Sequence, residues 1–136
     1  RAIVRLNVLS DIAWEKHNIP QEFPSIYFYD YTKRALRLGK TPSNYKLMFS
    51  YSAAPKYAKQ VALALKTDAP MTVVFKNGLP SQWMGREVVD GDISDLDNVK
   101  HYGKIIGLRV KGNAAKLSES PFIVDSNIIP TLRLAA

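Results

Sequence analysis

The sequence predicts an α/β fold built on a mainly parallel sheet of five or six strands with short flanking helices. Its apolar runs are short, rich in β-branched and aromatic residues, and mostly apolar at successive positions, which is typical of strands covered on both faces. Between two of these runs, one segment has its apolar residues at helical spacing. This alternation of strand and helix favours parallel pairing. The sheet is expected to be open or part of a barrel.

Six runs are predicted to be strands, and a further short strand is expected at Glu87 to Val89. The six are Ile3 to Leu9, Ile26 to Tyr29, Tyr45 to Phe49, Met71 to Phe75, Lys104 to Val110 and Phe122 to Val124. The clearest helix is Pro55 to Lys66, because Val61, Ala64 and Leu65 recur at helical spacing and proline suits a first turn.

Two shorter connections are predicted to be helical. Ser10 or Asp11 is suited to cap a helix that stops before Pro20, and Thr32 to Leu38 has room for two turns. The segment Asn77 to Gly103 has no sustained period and several glycines, so we expect a long irregular loop.

The 136 residues fit a single domain, residues 1–136, with a formal net charge of +7. The absence of cysteine excludes disulfides and thiolate metal sites. No apolar run approaches the roughly 20 residues that cross a bilayer, so we expect a cytoplasmic location and no membrane partner. The chain begins without Met, and we expect it to be the C-terminal part of a longer precursor. A barrel of about 250 residues would then be completed by the missing N-terminal half or a partner chain.

The segment from Tyr31 to Thr67 contains eight basic residues and no Asp or Glu. They are Lys33, Arg34, Arg37, Lys40, Lys46, Lys56, Lys59 and Lys66. So one-sided a charge favours an anionic partner, and phosphates of nucleic acid or of a phosphorylated ligand are the obvious ones.

Polar clusters follow the predicted strands directly, which places them at the carboxyl ends, where parallel sheets bind ligands. Asp11, Thr32, Lys33 and Ser50 are therefore expected on one side of the molecule. The predicted phosphate contacts are Thr32, Lys33, Arg34, Arg37 and Lys40, with Tyr31 as a stacking residue. Helix capping is the alternative explanation for the Ser, Thr and Asp residues.

Tyr27, Tyr29 and Tyr31 alternate along one strand, so they share one face of the sheet. These rings are suited either to stack on bases or to pack beneath a helix.

Three segments resemble a family of phage and mobile-element proteins. They are "RLNVLSDIAWE" (Arg5 to Glu15), "FYDYTK" (Phe28 to Lys33) and "VVDGD" (Val88 to Asp92). The resemblance implies no particular chemistry. The motif positions that it implies are Asp11, Trp14, Glu15, Asp30, Tyr31, Thr32, Lys33, Asp90 and Asp92. In that family the same strings follow a cysteine-rich half. This chain has no cysteine, so cluster or redox chemistry is not carried over.

Carboxylates suggest a second kind of site. Asp11 and Asp30 are candidate acid–base groups at the strand ends. Asp90, Asp92 and Asp95 lie in a run of five carboxylates, and oxygen ligands of this kind suit Mg²⁺ or Mn²⁺. Two alternatives are a solvated acidic loop and a loop that folds over the basic segment to neutralise it.

Common catalytic motifs are absent from the sequence. It contains no G-x-x-x-x-G-K-[ST] phosphate loop, no G-x-G-x-x-G fingerprint and no G-x-S-x-G nucleophile elbow. His17 and His101 have no spaced partner and receive no role. The first functional hypothesis is therefore a module that binds nucleic acid or a phosphorylated ligand at the strand ends. The alternative is half of a barrel-type enzyme with carboxylates at its rim, for which the sequence indicates no cofactor.

Overall fold

The computed structural model describes residues 2–111 and 120–128, apart from the side chains of Asp95 and Leu96. It contains a sheet of eight strands. The strands are β1 (Ile3–Arg5), β2 (Tyr27–Thr32), β3 (Tyr45–Ser50), β4 (Met71–Lys76), β5 (Gln82–Trp83), β6 (Arg86–Asp90), β7 (Ile105–Arg109) and β8 (Ile123–Asp125).

The strand order is β1-β2-β3-β4-β7-β6-β5, with β8 paired to β4. Every pairing is parallel except that of β5 with β6. The predicted α/β class and mainly parallel sheet are confirmed, but five or six strands was too few. The strand expected at Glu87 to Val89 is present as β6, and the unpredicted β5 is only two residues long, too short to produce a sequence pattern. Among the described residues the strands close no barrel.

The helices are short. They are α1 (Ile19–Glu22), α2 (Ala58–Leu65) and α3 (Asp95–Asn98), with 3-10 turns at Trp14–His17, Ala35–Arg37 and Pro55–Tyr57. The prediction for Pro55 to Lys66 is confirmed as a 3-10 turn that leads into α2. The predicted stop before Pro20 is confirmed, because the 3-10 turn ends at His17 with Asn18 as its C-cap. The separate helix α1 was not predicted, and Pro20 lies in its first turn, where a missing N–H costs nothing.

One face of the sheet carries the main hydrophobic core. Alternate residues of the central strands, such as Phe28, Phe49 and Val73, are buried there against Val61 and Ala64 of α2. The core holds the strands in register, so the ends of β1, β2 and β3 lie at a common carboxyl edge. That edge positions the candidate site.

The opposite face is covered in part by the connection from β6 to β7, residues 91–103. A Cβ added at Gly91 would clash with Cγ2 of Ile106, so glycine allows this connection to cross close above the strands. Asn98 is buried and donates to the carbonyl oxygen of Gly91 at 3.0 Å, which ties the connection together. The remainder of this face, towards β1 and β2, carries exposed side chains.

The strand β4 has two neighbours on one side. Its first residues, Met71 and Thr72, pair with the end of β3, and its last residues, from Val74 to Lys76, pair with β8. The backbone N–H of Ala53 donates to the carbonyl oxygen of Pro121 at 2.8 Å where the two strands diverge. The carboxyl edge is therefore forked between β3 and β8.

Within the described parts of the chain, no helix is long and apolar enough to cross a membrane.

Candidate functional site

The carboxyl edge brings together the residues predicted to meet there. Thr32 Oγ1 lies 2.8 and 2.9 Å from the two carboxylate oxygens of Asp11, and the ammonium of Lys33 lies 2.9 Å from Ser50 Oγ. These side chains come from the connection after β1 and from the ends of β2 and β3. The prediction that they share one side of the molecule is confirmed, and it follows from the parallel register.

Asp11 joins this edge to the connection that follows β2. Its carboxylate accepts hydrogen bonds from Thr32 Oγ1, from the backbone N–H of Lys33 at 2.9 Å and from Arg37 Nη1 at 2.6 Å. It does not cap the 3-10 turn that follows it, which has Ala13 at its N-cap and no side-chain cap. Helix capping therefore does not account for the position of Asp11, whereas its hydrogen bond with Thr32 at the end of β2 does.

Arg37 is the centre of a buried ion-pair network and only 3% of its side chain is exposed. Its guanidinium donates to both carboxylate oxygens of Glu15, at 3.0 and 2.9 Å, and to Tyr45 Oη at 3.0 Å. Burial alone would lower the pKa of Arg37, but its hydrogen bonds to Glu15, Tyr45 and Asp11 outweigh burial and raise that pKa. The proposal that Arg37 contacts phosphate has no support in this arrangement, because its donors face protein carboxylates.

Asp30 lies deeper in the same network and has no exposed surface. Its carboxylate accepts from the backbone N–H of Asn7 at 2.7 Å, from Asn7 Nδ2 at 3.1 Å and from the hydroxyl of Tyr45. Burial raises the pKa of Asp30, and the bonds from Tyr45 and Asn7 oppose this shift only in part. These contacts account for Asp30 as a structural residue, and its predicted acid–base role stays a prediction.

Lys33 has a different environment from Arg37. Its half-buried ammonium donates to Ser50 Oγ and to the Ser50 carbonyl oxygen at 3.2 Å. It lies 5.7 Å from the ring centre of Tyr57 and 4.9 Å from that of Phe122, so two aromatic rings flank it at the fork. Burial lowers the pKa of Lys33, and the Asp11 charge opposes that shift. Within residues 2–111 and 120–128, no carboxylate forms an ion pair with this ammonium.

The other predicted phosphate contacts are separated by the fold. Arg34 is exposed beside Lys33, where its Nη1 donates to the carbonyl oxygen of Asp11 at 3.3 Å. Lys40 is also exposed, but it precedes β3 and therefore lies towards the amino ends of the strands. Tyr31 is on the sheet face away from α2, with the Arg5 guanidinium 4.8 Å from its ring centre. The predicted set is thus divided between two edges and one face of the sheet.

The acidic residues are paired with cations of β7 and its continuation. Asp90 and Asp92 both contact Arg109 Nη1, at 2.9 and 3.3 Å, and Asp92 also contacts Lys111 Nζ at 2.8 Å. The hydrogen bond from Lys111 is the main cause of a lowered pKa at Asp92. The alternative that this run neutralises the basic segment is wrong for Asp90 and Asp92, because their partners lie outside that segment.

The predicted metal ligands are not brought together as a site by the described residues. No group of three or more His, Asp or Glu side chains there is arranged to hold a metal ion. The side chain of Asp95 lies outside the described part, although its backbone begins α3. Coordination by Asp90, Asp92 and Asp95 therefore stays a prediction.

Several residues of the edge were not predicted. Asn7 is buried and bonds to Asp30, and it also accepts from Trp14 Nε1 and Ser10 Oγ at 2.9 Å each. Its only signal in the sequence is a polar residue inside the apolar run "LNVL". Phe122 reaches Lys33 through the β8 pairing, which is distant in the sequence and leaves no local pattern.

A protein-family model described as Gene product 88, a phage-type gene product family, matches residues 1–124. The match spans well over half of the 136 residues, and the chain belongs to this family. It confirms the phage resemblance at the level of the family. No curated protein and no solved structure matches the chain.

Proposed function

We propose that this member of the Gene product 88 family binds nucleic acid or a phosphorylated ligand at the carboxyl edge of its sheet. The binding site is the Lys33 site, which we define as Lys33, Arg34, Ser50, Tyr57 and Phe122. One observation carries the proposal: the ammonium of Lys33 is half-buried between two rings, and no carboxylate of the described residues pairs with it. A desolvated cation in this position favours an external anion.

The strength of attraction between a half-buried cation and an external anion distinguishes the Lys33 site from the exposed cations of the basic segment. Two unit charges about 4 Å apart attract by about 4 kcal/mol near a protein surface, whereas exposed pairs contribute about 0 to 1 kcal/mol. Lys33 is a half-buried cation between two aromatic rings, and Arg34 adds a second, exposed charge beside it. Ser50 Oγ adds a hydroxyl that is able to donate to a phosphate oxygen. We assign Lys33 the role of anion ligand and Arg34 that of an accessory contact.

The alternative, a barrel-type enzyme with Asp11 and Asp30 as acid–base groups, has less support. Both carboxylates accept several hydrogen bonds from protein groups, and Asp30 has no exposed surface. A barrel completed by further strands remains part of our proposal, since β1 pairs only with β2 among the described strands. A partner strand along the outer edge of β1 is the arrangement that would extend the sheet.

Fluorescence anisotropy with labelled single- and double-stranded oligonucleotides at low salt tests the proposal. The variant Lys33→Met keeps the aliphatic stem and removes the charge, and we expect it to weaken binding at least tenfold. Lys40→Ala is the matched control, because it removes one exposed charge from the opposite edge. Titration with inorganic phosphate, followed by the NMR signals of the Lys33 side chain, tests a small ligand. If the wild-type chain binds neither probe at low salt, the proposed function is wrong.

A further inference from the structure

The open face of the sheet contains a groove separate from the Lys33 site. We call it the tyrosine groove, and its volume is about 520 Å³. Its main lining residues are Ile3, Tyr27, Tyr29, Lys46, Lys100 and Tyr102. Its floor is the amino half of β1, β2 and β3, and residues 97–102 of the β6–β7 connection form a wall.

Alternation along β2 creates the floor of the groove. Phe28 and Asp30 point into the core face and are buried, so Tyr27 and Tyr29 must point to the other face. Lys46 is paired with Tyr29 in the β2–β3 register and therefore lies beside it on that face. The groove thus combines aromatic rings with a cation on one rigid surface.

Two of the three tyrosine rings of the groove are exposed, and Tyr29 is half-buried. Tyr27 is 37% exposed and Tyr102 is 51% exposed, and Ile3 beside them is also exposed. Lys46 and Lys100 supply two positive charges, and Asp97 is the one carboxylate among the lining residues. Exposed aromatic rings together with lysines in a groove are the combination that binds the bases and phosphates of single strands.

We propose that the tyrosine groove binds the bases of single-stranded nucleic acid, with Tyr27, Tyr29 and Tyr102 as the stacking surfaces. Lys46 and Lys100 then contact the phosphates of the same strand. The inference rests on the proposed function, because it extends a strand held at the Lys33 site onto the open face. A duplex is a poor occupant, since its base faces are stacked inside the helix and unavailable to tyrosine rings.

The groove and the Lys33 site are close enough for one strand. β2 ends at Thr32 and Lys33 follows directly, so the backbone of Lys33 lies at most about 13 Å from that of Tyr29. That distance is at most about four nucleotides, taking the roughly 3.4 Å rise of one strand in a duplex as the lower limit for the spacing. Tyr31 follows Tyr29 on the same face of β2 and is next to Thr32 and Lys33 at the strand end, with the Arg5 guanidinium over its ring. Affinity is therefore expected to rise with strand length until both sites are covered.

The test compares two labelled 15-nucleotide strands, oligo(dT) and an abasic strand with the same phosphates. We expect wild type to bind oligo(dT) at least tenfold more tightly. Tyr102→Ala and Tyr27→Ala are expected to lower oligo(dT) affinity by roughly 5- to 150-fold per stacked base while leaving the abasic strand unaffected. Tyr102→Phe keeps the ring and is expected to retain binding. Phe23→Ala, which removes an exposed ring outside the groove, is the control for loss of aromatic surface.

The outcomes separate this inference from the proposed function. If wild type binds the two strands equally and Lys33→Met binds neither, the groove is overturned and the proposed function stands. Preference for oligo(dT) that depends on Tyr102 and survives Lys33→Met supports the groove and overturns the role of Lys33. Binding of neither strand overturns the groove, and it overturns the proposed function as well if inorganic phosphate also fails to bind. If wild type instead sediments as a dimer that Tyr102→Ala dissociates, a second copy occupies the groove and the inference is wrong.

Discussion

Arg37 and Glu15 form a two-point ion pair inside the domain, with Nε to Oε1 at 3.0 Å and Nη2 to Oε2 at 2.9 Å. The pair joins the first 3-10 turn to the turn that follows β2. It places a residue of the basic segment in a structural role, while its sequence neighbour Arg34 remains exposed at the carboxyl edge.

Replacing Arg37 by Ala is expected to lower the free energy of unfolding by about 3 to 5 kcal/mol, because it leaves a buried carboxylate without its partner. Urea denaturation measures the change. Arg34→Ala is the matched control, and its effect is expected to stay within about 0.5 kcal/mol. Similar losses for the two variants would contradict the structural role of Arg37.

Acid is expected to weaken the Glu15 pair. Burial alone would raise the pKa of Glu15, but its bonds with Arg37 outweigh burial and hold that pKa below the ordinary 4.5. The contribution of ionised Glu15 to stability is therefore complete above pH 4.5 and is lost as the pH falls through the lowered value. The stability difference between wild type and Glu15→Gln should shrink below pH 4.5 in urea titrations. A difference that stays constant down to pH 3 would exclude this effect.

Lys33→Met is expected to stabilise the free protein while weakening ligand binding. Burial lowers the pKa of Lys33, so its charge costs stability at neutral pH, and removing it should add about 0.5 kcal/mol or more. The free energy of unfolding of wild type should rise as the pH passes the lowered pKa of Lys33. The difference in stability between wild type and Lys33→Met should disappear near pH 10.5, the ordinary pKa of lysine. Thermal unfolding between pH 7 and pH 10.5 measures this. A variant less stable than wild type would show that Lys33 holds the fold together.

The salt dependence of binding affinity should report the number of phosphates that the chain contacts. Each neutralised phosphate contributes a slope of about −0.7 to −0.9 to a plot of log affinity against log salt concentration. Lys33→Met should make the slope shallower by about one such contribution, and Lys40→Ala should leave it unchanged. Anisotropy titrations between low and physiological salt give the slopes. Identical slopes for wild type and Lys33→Met would exclude a phosphate at Lys33.

Divalent cations are expected to bind weakly or not at all at the acidic run, because Arg109 and Lys111 occupy the oxygens of Asp90 and Asp92. Calorimetric titration with Mg²⁺, Mn²⁺ and Ca²⁺ should give a flat trace for wild type. Arg109→Ala frees Oδ2 of Asp90 and leaves Oδ2 of Asp92 bonded only to the backbone N–H of residue 109, so it is the variant in which binding would first be seen. Saturable heat in wild type, lost in Asp92→Asn, would establish the metal site instead.

The features of the fold that depend on local sequence pattern were predictable from the sequence. The apolar runs located β3, β4 and β7 to within one residue at each end, and β2 to within three, because its polar end, residues 30–32, continues the strand. Their parallel register then brought Thr32, Lys33 and Ser50 to one edge. The predicted first strand was too long, since β1 ends at Arg5. The run continues as "LNVL", but Asn7 turns towards Asp30 and the chain leaves the sheet.

Contacts between distant segments were not predictable. A run of charges does not show which member turns inward, so Arg37 and Lys33 looked alike although only Arg37 meets two carboxylates. The alternation of Tyr27 and Tyr29 showed that they share a face, but not that the β6–β7 connection leaves part of that face uncovered. That depends on the packing of Gly91 against Ile106, which is set by the assembled sheet.

The forked edge of β4 gives this domain a separable part. Among the described residues, β3 pairs with β4 only at Met71 and Thr72, and β8 pairs with β4 only from Val74 to Lys76. The strand β8 is therefore able to detach without disturbing the β3–β4 pairing. Its amide protons are then expected to exchange with solvent through a local opening that costs less than global unfolding. Phe122 would leave with the strand and uncover one side of Lys33. Entry of a ligand to the carboxyl edge is thus coupled to the docking of β8, which lies almost 50 residues further along the chain than β4. A ligand bound at Lys33 should slow the exchange of the β8 amide protons.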